Sequence, residues 1–333
     1  MSEALRILAV TNLWPEGGSF RGVFVQEQVE ALRKLGHHVD VEVVAQSRGS
    51  KDYLLAAPRV RARVKAGSAD GPYDVVHVHY GMTAPSARLV GSVPRVLSLY
   101  GSDVNSPKEH RITKLGSGGV AKRIYVSKRL AETAGDKDGV VIPNGVDFTV
   151  FAPADREAAR AALGIEPHEK VVLFGGMPTN AVKCYDVFSD VVKQLKESDD
   201  SVRELVLSAP NQPVEKIVEK YNAADVFLFT SRKGSEGSPT VVKESVAMGL
   251  PVVSVDVGDA AEILRGVTPS QVVAFAEPYG TPAAREALVK SLADAVTEVL
   301  DTKSRSNGRE VCEWLDSPRI AERIVEVYRS VIR

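Results

Sequence analysis

Short apolar runs alternate with amphipathic segments along nearly the whole chain. In the first half, Arg6–Val10, Val39–Val44, Val75–Val78, Val96–Leu99, Ile124–Val126 and Val140–Ile142 read as strands. Such continuous runs suit strands covered on both faces, as in a parallel sheet. Between the first two, Val25, Val29 and Leu32 follow one another at spacings of four and three. That spacing predicts a helix, and Gly36 is its stop. The second half repeats the rhythm. Val171–Phe174, Leu205–Ser208, Val226–Phe229 and Val252–Val255 read as strands; Lys183–Lys196, Val214–Asn222, Val241–Met248 and Ala283–Leu300 read as helices. Strands alternating with helices predict βαβ units. The expected fold class is therefore α/β, with two domains, residues 1–150 and 151–333. Their boundary falls within Asp147–Leu163, where Phe151, Pro153 and an Ala-rich charged segment interrupt the strand pattern. The amphipathic stretch Ser317–Ile332 either closes the second domain or crosses back onto the first.

Length agrees with that division, since 333 residues at roughly 150 per domain give about two domains. An apolar share of 44% and a charged share of 26% are ordinary for a globular chain and exclude collagen, a coiled coil or pervasive disorder. No apolar run approaches the ~18 residues of a membrane span. The first apolar run lacks a basic leader and a cleavage site, so a cytoplasmic location is expected. Cys184 and Cys312 supply neither a disulfide framework nor a metal cluster.

The net charge of −1 conceals an asymmetry. Residues 1–150 hold 20 Lys and Arg against 15 Asp and Glu, or +5; residues 151–333 hold 22 against 28, or −6. Part of the basic excess lies in Arg48–Lys65, where Arg48, Lys51, Arg59, Arg61, Arg63 and Lys65 face one acid, Asp52. A solvated basic helix is one reading; peripheral contact with an anionic acceptor or the inner membrane face is the other. The segment has no interleaved aromatic residues and no nucleic-acid motif, so nucleic acid is not an expected partner.

The segment Glu236–Pro251, E-G-S-P-T-V-V-K-E-S-V-A-M-G-L-P, carries the chemistry. Pro239 suits a first helical position with Ser238 as the cap. The N–H groups of Thr240 and Val241 would then be free at a helix N-terminus, a ready site for phosphate. Glu236 in the loop and Glu244 inside the helix are separated by seven residues, so they can touch different parts of one elongated ligand.

This segment resembles the signature of the retaining glycosyltransferases of family 4, which have the GT-B architecture. The resemblance rests on Glu236 and Glu244 at their spacing, on Gly237 and Pro239 after the first, and on Gly249, Pro251 and Val252 after the second. Further blocks agree in order: Asp74–His79, Gly101–Asp103, Val126–Lys128, Ile142–Asp147, Ala223–Ser231 and Val257–Glu262. The likeness implies two Rossmann-like domains facing a cleft, the first for an acceptor and the second for a nucleotide-diphosphate sugar. It implies that Glu244 binds the ribose hydroxyls and that Glu236 contacts the donor sugar. It also implies that the backbone of Gly237, Ser238, Pro239, Thr240 and Val241 holds the diphosphate. Ser208 is a further nucleotide-side candidate.

The loop Val171–Lys183 is the second phosphate element that the resemblance implies. Lys183 stands at the family's Lys position and is expected to be catalytic, with Glu236. Met177 stands where the family usually has Arg, and an apolar thioether cannot replace a bidentate guanidinium. The loop Trp14–Gly22 joins the first strand to the first helix, and Gly17, Gly18 and Gly22 each suit a close backbone approach to the donor. Tyr100 occupies the place of a family His, and Asp103 orients either that loop or the acceptor. His77 and His79 share a strand face, but no further ligands complete a metal site.

The function so implied is retaining, metal-independent transfer of a hexose-type sugar to an acceptor hydroxyl, with no cofactor. UDP is the favoured nucleotide and GDP the next. The acceptor is a glycan, a lipid-linked intermediate or a natural product. Two other readings stay open: a nucleotide-sugar-binding protein without transferase activity, and a nucleotide-sugar epimerase. A pyridine-nucleotide enzyme is disfavoured because the glycine fingerprint is absent.

Overall fold

The computed structural model describes residues 3–16, 21–44, 48–49, 51–207 and 212–332. The chain divides into two units, Met1–Gly145 with Leu315–Arg333, and Val146–Trp314. The first contains strands β1 (Arg6–Thr11), β2 (His38–Val43), β3 (Val75–His79), β4 (Arg95–Leu99), β5 (Lys122–Tyr125) and β6 (Val140–Val141). They form one parallel sheet in the order β2-β1-β3-β4-β5-β6. Alternate residues feed opposite layers of core. Ile7 and Ala9 pack with Val29, Leu32 and Val75 on one face; Leu8 and Val10 pack with Val76, Val78 and Leu97 on the other. Two-sided burial explains why these strands read as unbroken apolar runs.

The helix Ser317–Val331 belongs to this first unit. Its buried Ile320, Ile324 and Tyr328 recur every four residues and join the Ile7 layer. Tyr328 then reaches the buried ring of His77, with its hydroxyl 2.6 Å from Nδ1.

The second unit contains β7 (Lys170–Phe174), β8 (Val202–Val206), β9 (Val226–Phe229), β10 (Val252–Val255) and β11 (Gln271–Val273), parallel in the order β11-β10-β9-β7-β8. Both departures from the expected strands lie at sheet edges. β8 begins at Val202 rather than Leu205, because an edge strand can carry Arg203 and Glu204 when other groups engage them. Arg203 pairs with Glu169 at 2.9 Å, and Glu204 accepts the Tyr185 hydroxyl at 2.9 Å. β11 is three residues long, too short to stand out as an apolar run. The helices of this unit include Tyr185–Ser198, Val214–Ala223, Thr240–Ala247 and Pro282–Asp301. The loops after β7 and β9 both leave the carboxyl ends of adjacent strands, where open parallel sheets receive ligands.

Candidate functional site

The second unit gathers Lys183, Glu236 and Glu244 around the start of helix Thr240–Ala247. Phe174 ends β7, and the chain then turns through Gly175 and Gly176. A Cβ on Gly175 would lie 2.3 Å from the Phe227 ring, so only glycine fits where this loop crosses β9. A Cβ on Gly176 would lie 2.9 Å from Lys183 Cγ, which shows how closely the loop folds back on its own lysine. Two successive turns, Asn180 N–H to Met177 O and Lys183 N–H to Asn180 O, both 2.9 Å, carry the chain to that point.

Lys183 Nζ donates to Glu236 Oε1 at 2.8 Å, and Ser231 Oγ donates to the same oxygen at 2.7 Å. The ammonium also stands 5.2 Å from the centre of the Phe229 ring. Both ends of the ion pair keep some exposure, so a ligand can reach them. Both hydrogen bonds to Glu236 go to Oε1, and among the described residues no hydrogen bond reaches Oε2, which leaves a carboxylate oxygen for a sugar hydroxyl. Met177, at the expected arginine position, is 42% exposed and offers no charge.

Helix Thr240–Ala247 starts one residue later than the sequence suggests. Pro239 is its cap and makes no side-chain cap bond. Ser238 does not cap the helix; its hydroxyl donates instead to Asp259 Oδ2 at 2.5 Å. A helix start with no side-chain cap is the arrangement that favours an anion. The loop is backed closely: a Cβ on Gly258 would sit 2.9 Å from Gly237 O and 3.0 Å from Pro239 Cδ.

Glu244 lies on the second turn of that helix. The buried phenol of Tyr221 donates to Glu244 Oε2 at 2.6 Å and fixes the carboxylate. Burial pushes the Glu244 carboxyl above its ordinary range, opposed by the Tyr221 hydrogen bond. Tyr221 and Ser231 were not singled out as site residues from the sequence; both lie in or beside the Ala223–Ser231 block, and only the fold shows where they point.

In the first unit, the expected residues are tied to one another. Asp103 is wholly buried, and its carboxylate accepts N–H groups of Gly81 at 3.0 Å, Tyr100 at 3.1 Å and Gly101 at 2.8 Å. It thereby holds the loop after β4. The Tyr100 hydroxyl shares a 2.7 Å hydrogen bond with His79 Nδ1, and His77 Nε2 shares one of 2.8 Å with Ser98 Oγ. Burial lowers His77 well below its ordinary value and His79 to about 3, so both rings are neutral. Among the described residues, no group of three or more His, Cys, Asp and Glu could hold a metal.

Gly22 caps helix Val23–Lys34 at φ 82°, and a Cβ there would lie 2.3 Å from the Leu13 carbonyl carbon. Gly17, Gly18 and Ser208 lie outside the described residues. The basic segment is less charged in the fold than in the sequence. Arg59 pairs with Asp52 at 2.8 Å and with Glu42, Arg63 pairs with Asp40 at 3.2 Å, and Arg48 lies 3.9 Å from Asp52. No helix among the described residues is long and apolar enough to cross a membrane.

Comparison with known proteins places these features. Residues 22–150 match Glycosyltransferase Family 4, and residues 206–302 match Glycosyl transferases group 1. The chain is 25% identical over 327 residues to a protein of Bacillus subtilis (strain 168) assigned as a teichuronic acid biosynthesis glycosyltransferase, across 78% of this chain and 83% of that one. Sucrose-phosphate synthase from Thermosynechococcus elongatus superposes with a TM-score of 0.73 at 17% identity, over 98% of each chain. Anabaena HepE, solved with UDP and glucose, superposes with a TM-score of 0.68 at 19% identity, over 98% of this chain and 100% of that one. The fold is the GT-B type, with two parallel-sheet α/β units.

Proposed function

We propose that this chain, which belongs to the family 4 and group 1 glycosyltransferases, is a retaining, metal-independent enzyme that moves a hexose-type sugar from a nucleotide-diphosphate donor to an acceptor hydroxyl. One observation carries the reading. Lys183 and Glu236 form a 2.8 Å pair beside a helix start without a side-chain cap, and Tyr221 holds Glu244 one turn further on. Those elements match the three parts of such a donor: sugar, diphosphate and ribose.

Glu244 receives the ribose hydroxyls, and the N–H groups of Thr240 and Val241 receive the diphosphate with Lys183. The backbone of Gly237, Ser238 and Pro239 lines the path between them. Glu236 orients the sugar through Oε2. As the anomeric C–O bond breaks, negative charge grows on the leaving diphosphate. Lys183 and the helix start stabilise that charge, a preorganised electrostatic effect. The acceptor oxygen attacks from the face that the diphosphate leaves, and its proton passes to a diphosphate oxygen. Configuration at the anomeric carbon is thereby retained. Since these groups already supply the positive charge, the reaction needs neither a divalent ion nor a cofactor.

UDP is the favoured nucleotide because the structural neighbour HepE binds UDP and UDP-glucose; GDP is next. The Bacillus relative's assignment to teichuronic acid favours an envelope glycan among the acceptors. Lipid-linked intermediates and natural products remain in the same acceptor class. Among the described residues of Arg48–Lys65, Lys51, Arg61 and Lys65 are the cations outside the ion pairs of that segment, and a peripheral membrane contact would use them. The test is release of UDP or GDP from a panel of their sugar conjugates with such acceptors, with proton NMR of the product. An α-configured product from an α-configured donor supports the reading; an inverted product refutes retention.

A further inference from the structure

A cavity of about 370 Å³ in the second unit plays no part in the steps above. Apolar side chains supply most of its lining. Val187 comes from helix Tyr185–Ser198, and Ala284 and Leu288 come from helix Pro282–Asp301; all three are buried. Phe275 and Tyr279 add two rings, packed edge to face with their centres 5.3 Å apart. Those rings are anchored. Lys233 Nζ pairs with Glu277 and lies 5.9 Å from the centre of the Phe275 ring and 5.5 Å from that of Tyr279. The Lys233 N–H donates to the Tyr279 hydroxyl at 3.3 Å. A concave, mostly apolar space with a few placed polar groups is what a small organic molecule fills. This one lies near the lower end of the range of about 300–1,000 Å³ for ligand pockets, so its molecule is compact.

The charges around the cavity do not cancel. Arg285 is taken, by Asp186 at 2.9 Å and by Asp190. Arg232 also lines the cavity, and among the described residues its guanidinium makes no hydrogen bond and no ion pair. A free guanidinium beside an apolar space calls for a ligand with an anionic group on an apolar body.

The cavity shares a wall with the donor site. Thr230, Ser231 and Arg232 follow β9. The Thr230 hydroxyl donates to Lys183 O at 2.9 Å, with Cys184 O at 3.2 Å. The Arg232 N–H donates to Val182 O at 2.9 Å. Ser231, between them, donates to Glu236 Oε1. Cys184, also in the lining, sits at φ 49°, a left-handed backbone that a residue with a side chain rarely adopts. The three residues after β9 therefore hold the strained turn next to Lys183 and, through Ser231, the carboxylate that Lys183 pairs with.

We propose that this cavity is a second ligand site, for a compact organic anion with an apolar or aromatic body, and that its occupant is coupled to the Lys183–Glu236 pair through Thr230–Arg232. Arg232 receives the anionic group, and Val187, Leu288, Phe275 and Tyr279 receive the body. The coupling rests on the donor reading above; the site itself does not. Coupling is reciprocal, so UDP in the donor site changes the affinity of the cavity by the same factor as the occupant changes the affinity for UDP.

The probe is anilinonaphthalene sulfonate, an aromatic anion of this kind whose fluorescence rises in apolar surroundings. It is titrated into the wild type, Arg232→Gln and Ala284→Phe, each with and without saturating UDP. Ala284→Phe fills the cavity. Arg232→Gln removes the charge at an exposed position, so the test stands even if Ala284→Phe does not fold. The wild type is expected to bind a single equivalent, and UDP to shift its Kd about fivefold to a limiting value. Arg232→Gln should weaken the probe about tenfold, and Ala284→Phe should abolish its binding. No binding by the wild type, displacement that grows without limit as UDP is raised, or an unchanged Kd in Arg232→Gln overturns the site. A probe Kd that UDP leaves unchanged, while calorimetry shows UDP bound, overturns the coupling. If calorimetry shows no binding of UDP, GDP or their sugar conjugates and the probe still binds as expected, the donor reading fails and the site stands.

Discussion

The polar cluster of the first unit and that of the second are built on opposite plans. Around β3 and β4, His77, His79, Ser98, Tyr100, Asp103 and Tyr328 satisfy one another and the local backbone. Around β7 and β9, Glu236 keeps an oxygen open, helix Thr240–Ala247 has no side-chain cap, and Asp259 Oδ1 has no hydrogen-bond partner among the described residues. A closed network stabilises a fold and resists change. An open one leaves groups that a ligand can complete. Polar residue types alone would not separate the two clusters, since both contain carboxylates and hydroxyls; the partners of these particular atoms do, while the unpartnered buried atoms of the first unit among the described residues, Gln28 Nε2, Arg95 Nη1 and His110 Nδ1, lie outside its network.

The contrast breaks most visibly at Lys183. Lys183→Ala is expected to lower turnover by about 10²- to 10³-fold, the usual cost of losing one donor to developing charge. The melting temperature should hold, because the ion pair it removes is partly exposed. Normal turnover in that variant would remove Lys183 from the diphosphate subsite.

In the first unit, the expected losses are of stability. Gly22→Ala forces a side chain into a left-handed backbone and against the Leu13 backbone. A destabilisation of at least about 1 kcal/mol follows, readable by denaturant titration. Tyr100→Phe leaves His79 Nδ1 short of its partner, at a cost of about 1–2 kcal/mol.

The histidines sharpen the contrast through pH. His79 titrates near 3 when folded and near the ordinary 6.5 when unfolded. Between those values the unfolded chain binds the extra proton, so stability rises with pH across the window and falls on acidification. The slope is at most about 1.4 kcal/mol per pH unit for this group. His79→Gln should flatten the acid limb of a stability curve, and an unchanged limb would contradict the neutral buried ring.

Much of this was legible in the sequence, for identifiable reasons. Strands buried on both faces, such as Val75–His79 and Val226–Phe229, show as apolar runs. The edge strands β8 and β11 did not show in their true places, because an edge position tolerates polar residues and short length. Glu236, Glu244 and Lys183 were visible through motif spacing. Their supports were less so. Tyr221 is distant in sequence from the carboxylate it fixes. Ser238 illustrates the limit of local rules: its position suggests a helix cap, yet Asp259, twenty-one residues away, takes its hydroxyl.

The central claim is that the open cluster of the second unit is a nucleotide-sugar site. The most direct measurement is calorimetric titration of UDP, GDP, ADP and their common sugar conjugates into the wild type and Glu244→Ala. The account predicts that one nucleotide family binds selectively, UDP first, and that Glu244→Ala weakens it about tenfold or more through loss of the ribose contact. An equal dissociation constant in both proteins would contradict the ribose assignment, and no binding by the wild type would contradict the site.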